Sequence, residues 1–458
     1  MQENIHLLPL LCSFTGALLC LLPVRSFDKI ISVIASLAAF GSVIFLLTKE
    51  NIVTDTYYID GLSKLLLLTI ALLYLATVLY SLAYLKHILN PLFKNKLYYF
   101  LLNLFATSMF FSVSMDNIGL IWVGIEATTV TSALLVATEN DQVTVESAWR
   151  YVIIVSTGLV ISLIATTFIY GASGTLSMHE LMLHHPNNRV FLLGILLGLI
   201  GFGTKAGIFP MHTWLPDVHG KAPAPVSAIF SGVLLPVALY AMARLIQIHN
   251  LPVVKIFCVT LGILTVGVAA LMMTVQNNYK RMFAYSSMEN MGMVLIGFAL
   301  GKYGLLGSVV IIISHGLAKS SAFYLTGNIL SVYHSTALHD VHGVLKKMPA
   351  TGFTIFLASM AVTGAPPFAV FAGELFILKE FVHQYNWWLA LLIICFLAIA
   401  FIAVNVRTGR MVFSGNPPDN NRVFRSETWV PVINLILSAL VILLIPYIEK
   451  LLANLIGS

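Results

Sequence analysis

Apolar residues run along this chain in stretches of about twenty, separated by short polar turns. A stretch of that length is what one helix needs to cross the hydrocarbon of a bilayer. The pattern predicts an all-α fold, a polytopic transmembrane bundle of about 14 helices. Their cores fall near 5–24, 27–47, 61–85, 97–115, 117–137, 149–170, 190–210, 225–248, 253–274, 283–300, 303–333, 351–382, 386–406 and 430–452. The longest connection, 414–427, carries a polar NPPDNNR turn. No soluble catalytic domain is expected, so the chemistry belongs in the bilayer or to partners docked on the protein.

Two of the apolar stretches are interrupted. The segment 201–232, GFGTKAGIFPMHTWLPDVHGKAPAPVSAIFSG, holds Lys205 and then meets Pro210, Pro216, Pro223 and Pro225. Proline removes a backbone donor and breaks a helix, and broken backbone at membrane depth persists only where protein or a water-filled cavity surrounds it. A second break, at Pro366 and Pro367 in AVTGAPPFAVFAGELFILKEF, precedes Glu374 by two turns. Two interrupted helices, each with an ionisable group nearby and about 160 residues apart, point to a transporter-like internal repeat. A mere proline kink is the plainer reading of the second.

Composition and charge narrow the class. With 59% hydrophobic and 10% charged residues, the chain is too apolar for a soluble domain. Its net charge of +6 needs no nucleic-acid partner, because basic residues gather on one side of a membrane protein. An outside N-terminus puts fifteen Lys and Arg on the cytoplasmic side, Arg25, Lys94, Lys96, Lys280, Arg281, Lys346, Arg407, Arg410, Arg422 and Arg425 among them, against about eight outside. Both termini are therefore expected on the outer face. Cys12, Cys20, Cys258 and Cys395 lie in apolar spans with no CxxC or Cys/His cluster, so no metal, iron–sulfur site or disulfide framework is expected. The first span follows Gln2 and Glu3 rather than a basic leader, which argues against a cleaved signal peptide.

What remains inside the spans carries the chemistry: Glu126, Lys205, Glu289, His315, Lys319 and Glu374. A charge at the bilayer centre costs ~2.5–3.5 kcal/mol on insertion scales. Several facing lipid would together outweigh a folding free energy of about 5–15 kcal/mol, so they must face each other, a polar interior or water. His315 and Lys319, four residues apart, share one helical face. Two cations there repel, so one of the pair is neutral at a time, which suits proton exchange. A purely structural lock is the alternative for Glu126 with Lys205, and an equal one for Glu289, which lies beside Ser286 and Asn290 near a span end. Thr128, Thr129, Thr131 and Ser132 follow Glu126, and Ser156, Thr157 and Ser162 lie on the next span; such hydroxyls hydrogen-bond across helices. GFGTKAG has neither the spacing nor the preceding strand of a nucleotide loop.

The pattern K-x4-P-x-H-x-W-L-P-D followed by P-V-S-A, formed by Lys205, Pro210, His212, 214–217 and 225–228, resembles the antiporter-like subunits of respiratory complex I, Mrp sodium/proton antiporters and membrane-bound hydrogenases. IDGLS at 59–63, KRMFAYSS at 280–287, HGLAK at 315–319 and GAPPF at 364–368 echo the same family in order along nearly the whole chain. AWRY at 148–151, GNIL at 327–330 and GAPPF with Glu374 are most similar to the hydrogenase-4 or formate-hydrogenlyase type.

The resemblance implies two inverted five-helix repeats and a polar axis through the membrane middle. The domains would be an N-terminal three-helix segment at 1–96, half-channel repeats at 97–250 and 251–410, and a C-terminal loop and last helix at 411–458. Glu126 matches the family glutamate paired with the lysine that is here Lys205; His315, Lys319 and Glu374 complete the implied proton relay. His212, Asp217, Lys221, Ser231 and Glu289 are accessory candidates. One departure is Pro236, where several members carry a connecting lysine, with Ser231 near the place of a histidine; water would have to bridge the two halves. The expected function is proton translocation within a redox-driven complex, with other membrane subunits and a peripheral redox arm as partners and no cofactor of its own, in a bacterial or archaeal cell membrane. An Mrp-like sodium/proton antiporter subunit, a membrane subunit of an inorganic-carbon uptake complex and a structural scaffold are the alternatives.

Overall fold

The structure of the chain, a computed structural model, describes residues 5–23, 27–87, 92, 95–139, 142–184, 186, 188–416 and 428–456. Arg25, Lys94, Arg422, Arg425, most of the NPPDNNR turn and both extreme termini lie outside them.

Nineteen α-helices follow in order: α1 (Leu8–Cys20), α2 (Phe27–Leu47), α3 (Gly61–Tyr84), α4 (Asn95–Ser114), α5 (Ile118–Val136), α6 (Gln142–Ser173), α7 (Met178–His184), α8 (Arg189–Ala206), α9 (Trp214–Lys221), α10 (Ala224–Ile229), α11 (Leu235–Ile248), α12 (Pro252–Val275), α13 (Tyr279–Ala299), α14 (Lys302–Tyr333), α15 (Val344–Lys347), α16 (Pro349–Val362), α17 (Ala369–Gln384), α18 (Trp387–Phe413) and α19 (Trp429–Ile456). A two-residue antiparallel pair, β1 (Ile52–Val53) with β2 (Tyr58–Ile59), closes the turn before α3. Polar residues at the entries explain the starts. Asp60 accepts from the Ser63 amide at 2.9 Å, and Asn117, Asn188, Asn278 and Asn386 cap α5, α8, α13 and α18 in the same way.

The chain is a multi-pass membrane protein. Eleven helical segments, counted among the described residues, are long and apolar enough to cross a membrane. With α1, α13 and the pair α16–α17 they match the fourteen apolar stretches of the sequence. Burial orders the bundle: the most apolar stretch of α10–α11 is wholly buried and that of α14 is 94% buried, whereas only 28% of the stretch in α18 and 33% of that in α19 are covered. The centre is thus α10, α11, α13 and α14, and the rim presents Leu and Ile side chains to lipid.

Both proline clusters interrupt their helices. α8 ends at Gly207, whose φ of 74° is the left-handed conformation glycine adopts freely, and α16 gives way to Gly364 with φ 69°. The span expected over 351–382 is therefore two helices, α16 and α17. Between α10 and α11 lies a single π-turn, Phe230–Leu234, two residues before Pro236. Proline cannot donate to the carbonyl four residues back, and a wider turn accommodates the missing bond.

Candidate functional site

Lys205 stands in the last turn of α8, fully buried, just before the backbone turns at Gly207. The indole of Trp214 donates to the Thr204 carbonyl at 2.9 Å and the Phe209 amide donates to Thr265 Oγ1 at 3.1 Å. Backbone groups freed by the break thus find partners, as they must away from water. The ammonium of Lys205 donates to Thr129 Oγ1 at 2.8 Å and to the Tyr151 hydroxyl at 2.6 Å, and that hydroxyl is bonded in turn to Ser132 at 2.7 Å. Glu126, one turn before Thr129 on α5, accepts from Ser156 at 3.1 Å while its second oxygen is buried without a protein partner. No ion pair within 4.0 Å joins Glu126 to Lys205 among the described residues, so the anticipated direct pairing is replaced by a shell of hydroxyls between α5, α6 and α8. Hydroxyls there satisfy the ammonium without fixing its charge, which a direct carboxylate contact would do.

In the second half, α14 carries His315 and Lys319 on one face, both fully buried. Lys319 donates to the Phe283 carbonyl at 2.9 Å and to Ser286 on α13. Neither ring nitrogen of His315 meets a protein partner. Glu289 lies one turn past Ser286 and is 1% exposed; its carboxylate accepts from Asn290, which also donates to the Val362 carbonyl at the mouth of the second break. Across that break Glu374 packs on Gly364, its carboxylate filling the place an added Cβ would need. Glu289 lies within electrostatic range of both Lys319 and Glu374. It thus interacts with both residues that the sequence places in the relay.

Ser231 links α11's entry to α13. Its hydroxyl, in the π-turn, is 2.6 Å from that of Ser287 on α13, and both are fully buried. Ser231 thus has a protein hydroxyl as its partner, where the sequence suggested water. His212 lies in the first break, 8% exposed, beside Phe209 and Tyr285. Asp217 and Lys221 stand apart from the buried row. Asp217 is ion-paired with Arg281 and lies 4.0 Å from Arg150, and with the exposed Lys221 these residues line a surface cavity of about 300 Å³.

Four polar features escaped the sequence reading. Tyr151 holds Lys205 but looks like any aromatic residue of a span. His219, stacked on Phe323 at 4.9 Å with neither ring nitrogen hydrogen-bonded to protein, was hidden in a proline-rich segment. Lys280 is 2% exposed and donates to the Ala222 carbonyl at 2.7 Å, although its place beside Arg281 suggested a loop cation. Arg244 on α11 forms a two-pronged pair with Asp60, at 2.6 and 2.8 Å, at the start of α3; nothing in the chain's order pairs residues so far apart.

These features define an ion-handling membrane subunit with a buried row of Glu, Lys and His threaded through two interrupted helices. Residues 114–400 match the family described as NADH:quinone oxidoreductase/Mrp antiporter, transmembrane. The chain belongs to this family. It is similar to a hydrogenase-4 component F homolog of Methylacidiphilum infernorum, 30% identical over 368 residues that cover 75% of this chain and 76% of the relative. It also resembles an NAD(P)H-quinone oxidoreductase chain 4 of Thermosynechococcus vestitus, 36% identical over 62% of this chain and 54% of that one. In fold it matches a chain of the membrane-bound sulfane sulfur reductase, an archaeal respiratory membrane complex, with a TM-score of 0.88 over 99% of this chain and 96% of the other at 24% identity.

Proposed function

We propose that the chain is a proton-translocating membrane subunit of a redox-driven complex of hydrogenase-4-like or NADH dehydrogenase-like kind. Glu126, Lys205, His315, Lys319 and Glu374 form its relay, and His212, Ser231 and Glu289 assist within the bundle. Asp217 and Lys221 form a charged mouth on one face. The observation that carries this reading is Lys205: a fully buried ammonium beside a broken helix, held by hydroxyls alone, that can keep or release its proton as Glu126 gains or loses charge. His315, His219 and Glu126 Oε2 lack protein partners, which favours water as the connection between stations. A charge moved against 100 mV requires ~2.3 kcal/mol. A peripheral redox arm, joined through neighbouring membrane subunits, would supply it.

The two half-channels at 97–250 and 251–410 are proposed as inverted repeats. Three landmarks support this. The capping residue Asn117 bridges Ser177 as Asn278 bridges Ala337, and left-handed Gly207 and Gly364 end the helices before the breaks. Each pair is separated by roughly 160 residues and five crossings, an odd number, which places equivalent ends on opposite faces.

Proton movement by the assembled complex in sealed vesicles tests the relay. Lys205→Ala is expected to abolish proton uptake while leaving subunit stoichiometry intact, and Lys205→Arg to fail equally because arginine does not release its proton. Normal uptake by a correctly assembled Lys205→Ala complex would rule the relay out. Uptake that requires sodium would move the chain to the antiporter reading.

A further inference from the structure

A groove on the rim, between α12 and α18, takes no part in the buried row. Its volume is about 350 Å³. Ile399, Ile402 and Val406 of α18 form its wall, spaced so that they share one helical face. Ile402 is 60% and Val406 47% exposed, so this face looks outward at membrane depth.

At one end of the wall, in the last turns of α18, stand Arg407 and Arg410. The Arg407 guanidinium donates to the carbonyls of Met273 at 2.9 Å, Gln276 at 2.5 Å and Thr274, at and just past the end of α12. A cation at a helix C-terminus is favourably placed. These bonds use three of its five N–H donors. Arg410, three residues on and on the same face, has no side-chain acceptor among the described residues. Two neighbouring guanidinium groups repel, and an anion set between them removes that cost.

The wall runs away from the arginines for about 16 Å, from residue 410 back to 399 at 1.5 Å per residue. A paired cationic end joined to an apolar strip of that length has the chemistry of one diacyl phospholipid with an anionic headgroup. We propose that this groove binds an anionic phospholipid, its phosphodiester held by Arg407 and Arg410 and one acyl chain laid along Ile399, Ile402 and Val406. Guanidinium matches phosphate with two parallel hydrogen bonds, and basic pockets between helices on the positive side are where such headgroups settle. Free phosphate would leave the wall unused.

The site reaches the row through α18. Asn405, next to this face, accepts from Ser359 at 2.9 Å and donates to Thr363 at 2.8 Å, and Thr363 precedes the left-handed Gly364 on which Glu374 packs. A lipid that ties α18 to α12 therefore also steadies the second break.

Native mass spectrometry of the full chain, purified in mild detergent and stripped of lipid, tests the site with added phosphatidylglycerol, phosphatidylcholine of the same acyl chains, or inorganic phosphate. One phosphatidylglycerol should be retained with about tenfold preference over phosphatidylcholine, and Arg410→Gln should remove about that preference. Ile402→Trp, which fills the groove and leaves both arginines, should lower retention to a similar extent. Equal retention of the two lipids, retention unchanged in Ile402→Trp, or phosphate displacing the lipid from wild type and Ile402→Trp alike would overturn the proposal. Should Arg410→Gln fail to fold, Ile402→Trp and the comparison of the two lipids decide it alone.

Discussion

Single side chains decide whether the buried charges can work. Tyr151 is the clearest case, because its hydroxyl is one of two hydrogen-bond acceptors for Lys205 among the described residues. Tyr151→Phe keeps the ring packed against Trp214, 4.9 Å away, and removes that oxygen. A hydrogen bond to a charged group is worth ~1.5–3 kcal/mol, so proton uptake should fall by about tenfold or more with assembly unchanged; an unaltered rate in vesicles would show that Thr129 alone suffices. Arg244 and Asp60 have another task. Burial opposes ionisation of Asp60, yet the adjoining Arg244 guanidinium holds its carboxyl below the ordinary range. With the folded value depressed, this pair's contribution is complete above the unfolded carboxyl pKa of about 3.9 and fades as pH falls through the lower folded value. Asp60→Asn would leave a buried arginine without its counter-charge. That should cost up to ~3–5 kcal/mol, seen as a lower melting temperature in detergent above pH 5 and a smaller difference in strong acid. These roles were illegible in the sequence because hydropathy reports that a residue lies in a span, not which way it faces: Lys280 turns inward from the first turn of α13 while its neighbour Arg281 reaches Asp217.

At the scale of elements, the two breaks and most helix limits could be read from proline and apolar length, since both act locally. What could not be read was the contact between elements. Near a span end and beside Ser286 and Asn290, Glu289 reads from the sequence as an accessory residue, yet α13 packs between α12 and α14, and Glu289 is within electrostatic range of both Lys319 and Glu374. The π-turn before Pro236 was equally hidden, since a proline in a span announces a missing bond without saying how the helix absorbs it. By widening one turn the helix brings Ser231 to Ser287. Ser231→Ala removes this hydroxyl, while Ser287 keeps its bond to the Phe283 carbonyl at 3.2 Å. Folding should hardly change, and transfer between the halves should slow severalfold in single-turnover measurements; full-speed transfer would mean that the halves communicate elsewhere.

For the whole molecule, we propose that fourteen crossings, an even number, bring both termini to one face and that this face is the outer one, as the distribution of basic residues in the sequence favours. Lys346 bonds to the Gly415 carbonyl at 3.3 Å and to Asn416 at 2.9 Å, which joins two of the basic connections on the same side. Single cysteines at Gln2 and Lys346, labelled in intact cells by a membrane-impermeant thiol reagent, should react and not react, respectively. The reverse result would invert the topology and exchange the two faces of the relay.

The contact between Ser231 and Ser287 sets an order on whatever passes through it. Each oxygen can donate or accept, so the pair has two hydrogen arrangements of opposite polarity. A proton handed across leaves the pair pointing the other way, and both hydroxyls must rotate before a second can follow. In the close-packed centre of the bundle that rotation takes time of its own. The link would act as a turnstile: one charge per reset, however steep the gradient on either side.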